Sequence, residues 1–139
     1  MSPPLAVIDT NVVVSGVLTL RSESPTALIL DAMLQARFRF LLSPAILEEY
    51  RSVLLRPRIR SRHRLTEEEI DLVLTEIAVN AAFREPVSGG QNSLGDDHLR
   101  SLLEVEPDSV LVTGDRPLFA DLRTRSRVLS PREFVALLV

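Results

Sequence analysis

Two apolar stretches of the chain lead directly into aspartate residues. Leu5–Ile8 is followed by Asp9, and Val110–Val112 is followed, after two further residues, by Asp115. Short continuous apolar runs are typical of strands that are buried on both faces of a parallel sheet. Ligands of such sheets bind beyond the carboxyl ends of the strands. The two aspartates are therefore candidates for a carboxylate site at one sheet edge, although an ordinary loop would explain either of them alone.

Two predicted helices each carry a pair of adjacent acids, and the helical phase separates the members of each pair by about 100°. Glu49 borders the apolar stripe of its helix, whereas Glu48 falls on the opposite face. Asp96 borders a leucine stripe, whereas Asp97 points away from it. Asp97 stays open as the alternative, because sequence defines a helix start only to within about two residues. The phase thus selects Glu49 and Asp96 as acids that face the sheet.

Four inward carboxylates would require a cation. Two like charges about 4 Å apart repel by roughly 4 kcal/mol at an effective dielectric constant near 20. The chain has no cysteine, and its two histidines are not spaced like a zinc-binding pair. Oxygen ligands alone favour Mg²⁺ or Mn²⁺, of which one or two ions could be held. A metal of this kind activates water and stabilises charge on phosphorus, which indicates phosphoester chemistry. The four candidate ligands are Asp9, Glu49, Asp96 and Asp115.

All 16 basic residues are arginine, so the chain contains no lysine. This excludes lysine Schiff bases and the phosphate-binding lysine of P-loop proteins. It also disfavours receiver domains and haloacid-dehalogenase-like phosphatases, which place a lysine at the site. The absence of cysteine excludes disulfides and thiolate nucleophiles.

Strands and helices are predicted to alternate along the chain, which indicates an α/β class with a mainly parallel sheet. A length of 139 residues suits one domain spanning 1–139. Capping signals predict helices that begin after Ser24, Ser43, Thr66 and Ser130. Predicted strands cover 5–8, 38–42, 110–112 and 128–129, with a further short strand at 85–87 and a connector at 56–64.

No apolar run approaches the roughly 20 residues of a membrane span. The first five residues lack the basic region of a signal peptide. We therefore expect a cytoplasmic protein that does not associate with membranes.

Several segments together resemble the PIN-domain family, and most closely the VapC-like branch of toxins from toxin–antitoxin systems. The resemblance implies a three-layer α/β/α sandwich with a mainly parallel sheet of about five strands. It also implies an Mg²⁺- or Mn²⁺-dependent ribonuclease, a homodimer or higher homo-oligomer, and a cognate antitoxin protein. The segments are Val7–Ser15, Ser43–Tyr50, Asp96–Leu99, Val112–Leu118 and Val128–Phe134.

The resemblance carries over to individual residues. Asp9, Glu49, Asp96 and Asp115 match the four acids of the family in order, as catalytic residues and metal ligands. Nearby polar side chains could position the carboxylates or the substrate, although turn and cap chemistry explains them equally well. These are Thr10, Asn11, Ser15 and Thr113. The branch usually leads into its third acid with an Asp-Pro-rich segment, whereas this chain has Ser88–Gly95, which affects the expected loop and substrate preference.

A basic segment, residues 56–64, suggests how an acidic protein could hold RNA. It puts five positive charges into a chain of net charge −3, so the rest of the chain carries −8. Arginine binds phosphate or stacks on bases. The alternative is a solvated loop that pairs with the acids at 67–69. The five candidates are Arg56, Arg58, Arg60, Arg62 and Arg64.

One alternative function stays open. A degenerate PIN domain could act as a non-catalytic RNA-binding or scaffold module. The presence of all four matching acids argues against it.

Overall fold

The computed structural model of the chain describes residues 3–20, 22–85, 95–115 and 127–138. These residues form five strands and seven helices. In chain order they are β1 Ala6–Ile8, α1 Thr10–Leu18, α2 Pro25–Leu34, β2 Phe40–Leu42, α3 Pro44–Leu54, α4 Pro57–His63, α5 Glu67–Asn80, β3 Ala82–Phe83, α6 Gly95–Val105, β4 Val110–Val112, β5 Arg127–Leu129 and α7 Pro131–Val135.

The five strands form one parallel sheet in the order β3-β2-β1-β4-β5. All three residues of β1, of β2 and of β4 are buried. Because successive side chains of a strand point to opposite faces, this burial means that helices cover both faces of the sheet. The three-layer α/β/α fold with five strands is confirmed.

The predicted helix starts are confirmed at the four capping residues. The hydroxyl groups of Ser24, Ser43, Thr66 and Ser130 each accept a hydrogen bond from the backbone N–H three residues further on. Thr66 and Ser130 complete capping boxes with a glutamate. These caps satisfy backbone donors that a helix start leaves free, so they fix where α2, α3, α5 and α7 begin.

Helix α1 was not predicted from the sequence. Its run of valines favours a strand by local propensity. Tertiary packing prevails, because α1 buries six of its nine residues and contacts α2 and α3. Gly16 permits this approach, since a Cβ atom there would lie 2.8 Å from both Leu30 Cβ and the Thr26 carbonyl oxygen.

The prediction of an irregular connector at 56–64 is wrong. Residues Pro57–His63 form helix α4, with Pro57 in the first turn, where its missing N–H costs no hydrogen bond. Arg64 ends the helix in the left-handed region at φ 59°.

Of the predicted strand at 85–87, the structure describes only Glu85, which is not in a strand. The strand that precedes it is β3, Ala82–Phe83, which pairs with β2 as soon as α5 has ended. The Arg84 N–H still donates to the Leu42 carbonyl at 2.9 Å, but Glu85 lies beyond the strand. Residues 86 and 87 lie outside the described residues. Across the described ranges, no helix is long and apolar enough to span a bilayer.

Candidate active site

The site lies where the strand order of the sheet reverses. From β1 the chain order runs outward through β2 and β3 on one side and through β4 and β5 on the other. Ile8 pairs with Val112, and the Asp9 N–H donates to the Val112 carbonyl at 3.0 Å. Asp9 and Thr113 therefore leave their strands side by side, at the edge where open α/β sheets bind ligands.

Two threonine hydroxyl groups hold two of the acids. Thr113 Oγ1 donates to Asp9 Oδ2 at 2.6 Å and accepts from the Asp115 N–H at 3.0 Å. Thr10 Oγ1 donates to Glu49 Oε2. The first contact joins the ends of β1 and β4, and the second joins the start of α1 to α3. Each threonine hydroxyl thus holds a carboxylate that belongs to another structural element than the threonine itself.

Asp9 is the buried acid of the group, with 7% of its surface exposed. Burial raises the pKa of Asp9, and the negative charges of Glu49 and Asp115 raise it further. The hydrogen bond from Thr113 and the Thr10 N–H oppose this rise by stabilising the carboxylate. The raised pKa of Asp9 therefore has two sources, the burial of its carboxylate and the two negative charges beside it.

Tyr50 forms a hydrogen bond with the last residue of β1. Its side chain is fully buried, and its hydroxyl donates to the Ile8 carbonyl at 2.5 Å. Burial raises the pKa of the phenol, and the charges of Asp9 and Glu49 add to that rise. Tyr50 was not among the site residues predicted from the sequence. Its position directly after Glu49, as the sole tyrosine, was the available signal.

A cavity of about 600 Å³ opens over these groups. Four kinds of side chain line it. Acidic and amide lining is provided by Asp9, Asn11, Glu49 and Asp115. Hydroxyl lining is provided by Thr10, Ser15 and Thr19, and aliphatic lining by Val14, Leu18, Val53 and Ile59. Arg56 and Arg62 complete the wall.

The polar candidates differ in what they do in this cavity. Thr10 and Thr113 are buried and hold carboxylates, as described above. Asn11 is exposed at the cavity surface. The Ser15 hydroxyl lies 2.9 Å from the Thr26 hydroxyl, so it also ties α1 to α2. Glu48, the acid that the helical phase rejected, is exposed and does not line this cavity.

Helix α6, which carries the third candidate acid, packs against elements that form the site. It contacts α3, β1 and β4. Leu99, Leu102 and Leu103 are buried, so the leucine stripe from which the orientation of the two aspartates was predicted faces the core. The side chains of residues 95–98 and the lead at 88–94 lie outside the described residues. The choice of Asp96 over Asp97 stays a prediction.

The donor chemistry fits a hard divalent cation. Among the side chains that the structure describes, no three histidine, aspartate or glutamate groups converge as a metal-binding cluster, and Asp96 is not among them. Asp9, Glu49 and Asp115 offer only oxygen atoms and line one cavity. Burial and, to a smaller extent, repulsion by Glu49 and Asp115 raise the pKa of Asp9, and a cation would offset both by stabilising the ionised carboxylate. These acids would hold the ion together with Asp96.

The five arginines of the basic segment do not all lie at the cavity. Arg56 and Arg62 line the cavity, whereas Arg58, Arg60 and Arg64 are exposed elsewhere. The predicted pairing with acids 67–69 is not found in the described residues. Glu67 instead pairs with Arg51 at 2.7 Å, and Glu69 caps α5.

Comparison with known families agrees with this architecture. The family profile described as PIN domain matches residues 6–116, a range that contains all four predicted acids. The chain belongs to the PIN-domain family. PIN domains are in general metal-dependent nucleases that bind RNA. A comparison with curated proteins gave no match.

Proposed function

We propose that the protein is an endoribonuclease that requires Mg²⁺ or Mn²⁺ and hydrolyses RNA phosphodiester bonds. The observation that carries this proposal is the placement of Asp9. It is a buried carboxylate at the reversal of strand order, with Glu49 and Asp115 near enough to raise its pKa. A site with that charge suits a divalent cation and a phosphodiester substrate.

The residues of the chain have separate tasks in this proposal. Asp9, Asp96 and Asp115 hold one or two ions, and Glu49 completes the ligand set or orients the attacking water. Thr113 and Thr10 keep two of these carboxylates in place through their hydroxyl groups. Asn11, at the cavity surface, is available to a phosphate or ribose. The bound ion would supply an activated water and stabilise charge on the phosphorus.

The test is cleavage of a labelled single-stranded RNA with Mg²⁺ or Mn²⁺, and with the chelator EDTA as the blank. We expect cleavage by the wild type and a loss of at least about 100-fold for Asp9→Asn, because a metal ligand is removed. Glu49→Gln and Glu48→Gln form a matched pair on one helix. Only the former should lose activity, since Glu48 lies outside the cavity. Undiminished cleavage by Asp9→Asn would overturn the assignment.

The same variants separate the third acid from its neighbour. We propose Asp96 as the ligand, and Asp96→Asn should then lose Mn²⁺-dependent cleavage while Asp97→Asn keeps it. The reverse result would exchange the two roles.

We further propose that the protein is the toxin of a type II toxin–antitoxin system, that it acts in the cytoplasm as a homodimer or higher homo-oligomer, and that residues 1–139 fold as one domain. The support is the resemblance of its motifs to the toxin branch of PIN domains. Expression of the chain in a bacterial host should arrest growth. Co-expression of a small protein encoded next to it should restore growth, and Asp9→Asn should be harmless. Growth unaffected by the active nuclease would argue against a toxin.

A non-catalytic RNA-binding or scaffold module is the second candidate function. It differs in its response to metal, since a ligand that binds only the folded state raises the unfolding temperature. Thermal unfolding followed with and without millimolar Mn²⁺ separates the two. No stabilisation, together with RNA binding without cleavage, would favour the module.

A further inference from the structure

Helix α4 distributes the arginines of the basic segment over different faces. Arg56, Arg58, Arg60, Arg62 and Arg64 occupy every second position. In a strand such a pattern would place all five on one face, whereas alternate residues of a helix are about 200° apart. Because the segment is helical over Pro57–His63, the five charges cannot act as one strip.

Three residues of this segment form a stripe that faces the candidate active site. Arg56, Ile59 and Arg62 are spaced by three residues, which places neighbours on one side of a helix. All three line the cavity that contains the acids. Ile59 is partly buried against the core, and α4 contacts α1 and α3. Arg58 and Arg60 flank Ile59 by one residue, about 100° away, and do not line the cavity.

His63 anchors α4 to the end of α3. Its Nδ1 accepts a hydrogen bond from the Leu65 N–H at 2.9 Å, so in this arrangement Nε2 carries the proton. Nε2 lies 2.9 Å from the Leu54 carbonyl oxygen and donates to it. The two bonds, together with the packing of Ile59, hold the cavity-facing side of α4 in one orientation.

The two cavity arginines are available to an anion. Within the described part of the chain, Arg51 pairs with Asp71 and Glu67, while neither Arg56 nor Arg62 forms an ion pair. Glu49 and Asp9 accept hydrogen bonds from Thr10 and Thr113, and the described ion pairs include none between these two acids and Arg56 or Arg62. Two guanidinium groups that face one cavity, and that have no carboxylate partner among the described residues, form a site for phosphate oxygens.

The offset of Arg56 from the acids along α3 bears on which RNA phosphate the two arginines would bind. Arg56 follows Glu49 by seven residues along α3 and its end, which corresponds to roughly 10 Å at the helical rise. That offset suits a phosphate of a neighbouring nucleotide of the same strand better than the phosphate at the acids.

We propose that Arg56 and Arg62 bind an RNA phosphate that flanks the scissile one, and that Arg58, Arg60 and Arg64 make no direct phosphate contact. The proposal rests on the nuclease function proposed above. Of the five candidate arginines, only two then bind RNA. They act as positioning residues, because a flanking phosphate fixes the register of the RNA strand over the acids.

Two double variants of the full chain test this proposal. R56Q/R62Q and R58Q/R60Q each remove two charges from the same exposed segment, so general effects on net charge and on helix α4 are matched. The probe is a fluorescein-labelled single-stranded RNA of about twelve nucleotides. Its affinity is measured by fluorescence anisotropy in EDTA at several salt concentrations, and its cleavage is measured separately with Mn²⁺. Circular dichroism verifies that both variants are folded.

We expect R56Q/R62Q to weaken RNA binding by about 10- to 100-fold, as the loss of two charge-assisted contacts implies. The slope of log affinity against log salt should flatten by about 1.4, the value for two phosphates of a single strand. R58Q/R60Q should flatten it by less than about 0.7, the value for one contact. The cleavage rate at saturating RNA should fall less than the affinity does.

The outcomes separate the two proposals. If the wild type cleaves RNA but the two double variants weaken binding equally, the arginine assignment is overturned and the nuclease stands. If the wild type binds without cleavage and only R56Q/R62Q flattens the slope, the arginine pair stands and the nuclease falls. A wild type that neither binds nor cleaves RNA overturns both.

Discussion

Thr113 donates a hydrogen bond of 2.6 Å to Asp9 Oδ2, although 104 positions of the chain separate the two residues. The parallel pairing of β1 with β4 makes this contact possible, because Ile8 is opposite Val112 and both strands end at these residues, so Asp9 and Thr113 follow side by side. The same hydroxyl accepts the Asp115 N–H. One side chain therefore sets the position of a buried carboxylate and of the backbone that carries the next acid.

Thr113→Val should lower activity mainly at low pH. The hydroxyl group stabilises the ionised Asp9, so its removal raises a pKa that burial has already raised. The carboxylate must be ionised to hold a cation, and the acid limb of kcat/KM should therefore move to higher pH. The profile is measured with Mn²⁺ across about pH 5 to 8. Loss of the buried partner should also lower the free energy of unfolding by about 1–3 kcal/mol.

Thr113→Ser is the matched control for this change, since it keeps the hydroxyl and loses only a methyl group. Its pH profile should overlay that of the wild type. An acid limb that moves equally in the two variants would show that packing, and not the hydrogen bond, governs Asp9.

Asp9→Asn should make the metal-free protein more stable. The pKa of Asp9 is raised above its ordinary value of 3.8, so the ionised form opposes folding at neutral pH. The penalty is present above the folded-state pKa and is relieved as the pH falls through it. A neutral amide removes the penalty, and its oxygen can still accept from Thr113. In EDTA we expect Tm to rise by about 2–4 °C at pH 7, in line with other stabilising changes at charged functional sites.

The difference between Asp9→Asn and the wild type should shrink as the pH is lowered, because acid neutralises Asp9 in the wild type. It should reverse when Mn²⁺ is added, since only the wild type retains the ligand and gains stability from the ion. Equal unfolding temperatures of the wild type and Asp9→Asn at all pH values and metal concentrations would contradict a penalty for ionised Asp9 in the folded state.

The sequence was informative where local chemistry decides the structure. The hydroxyl of Ser43 and the Thr66 capping box act within three residues of themselves, so their helices could be predicted to within a residue. The helical phase that separated Glu49 from Glu48 is also local, and Glu49 lies in the cavity while Glu48 does not. The family resemblance and the buried apolar runs then predicted the parallel sheet.

The sequence was misleading where distant packing decides. The valines of α1 favour a strand, and only contact with α2 and α3 keeps them helical. The alternating arginines of 56–64 gave no helical period, because the apolar face of α4 consists largely of Ile59. The division of those arginines between cavity and surface follows from the fold of α4, so sequence alone could not provide it.

Tyr50 should remain protonated far into the alkaline range. Its pKa is raised by burial and by the neighbouring charges of Asp9 and Glu49. The chain has one tyrosine and no tryptophan, so tyrosinate absorbance reports this side chain alone. The absorbance should not change as the pH passes about 10, the ordinary value of the phenol, and should rise only when the protein unfolds. Parallel circular dichroism identifies the unfolding step.

The raised pKa of Tyr50 also makes the free energy of unfolding depend on pH. A folded-state pKa above the unfolded value contributes stability that is present below about pH 10 and lost as the pH rises further. Tyr50→Phe keeps the ring and removes the donor to the Ile8 carbonyl, so it should cost about 1–3 kcal/mol of unfolding free energy. A tyrosinate signal that develops with a midpoint near 10 in the folded protein would contradict this account.

Gly16→Ala should destabilise the protein and disturb the site from a distance. Its Cβ would lie 2.8 Å from Leu30 Cβ and from the Thr26 carbonyl oxygen, so α1 and α2 must move apart. Overpacking of this kind costs typically about 1–3 kcal/mol. Because α1 begins at Thr10, whose hydroxyl holds Glu49, the shift should also lower Mn²⁺-dependent cleavage. Urea unfolding and the RNA assay measure the two effects.

Gly114→Ala provides the same substitution where space is free. Apart from its two chain neighbours, no atom of the described residues lies within 4 Å of the Cβ position at Gly114. Its free energy of unfolding should therefore stay within about 0.5 kcal/mol of the wild type, as for ordinary surface changes. The contrast between the two alanines isolates helix packing from the loss of glycine flexibility. If both variants are destabilised to the same extent, the close approach of α1 to α2 is not what requires Gly16.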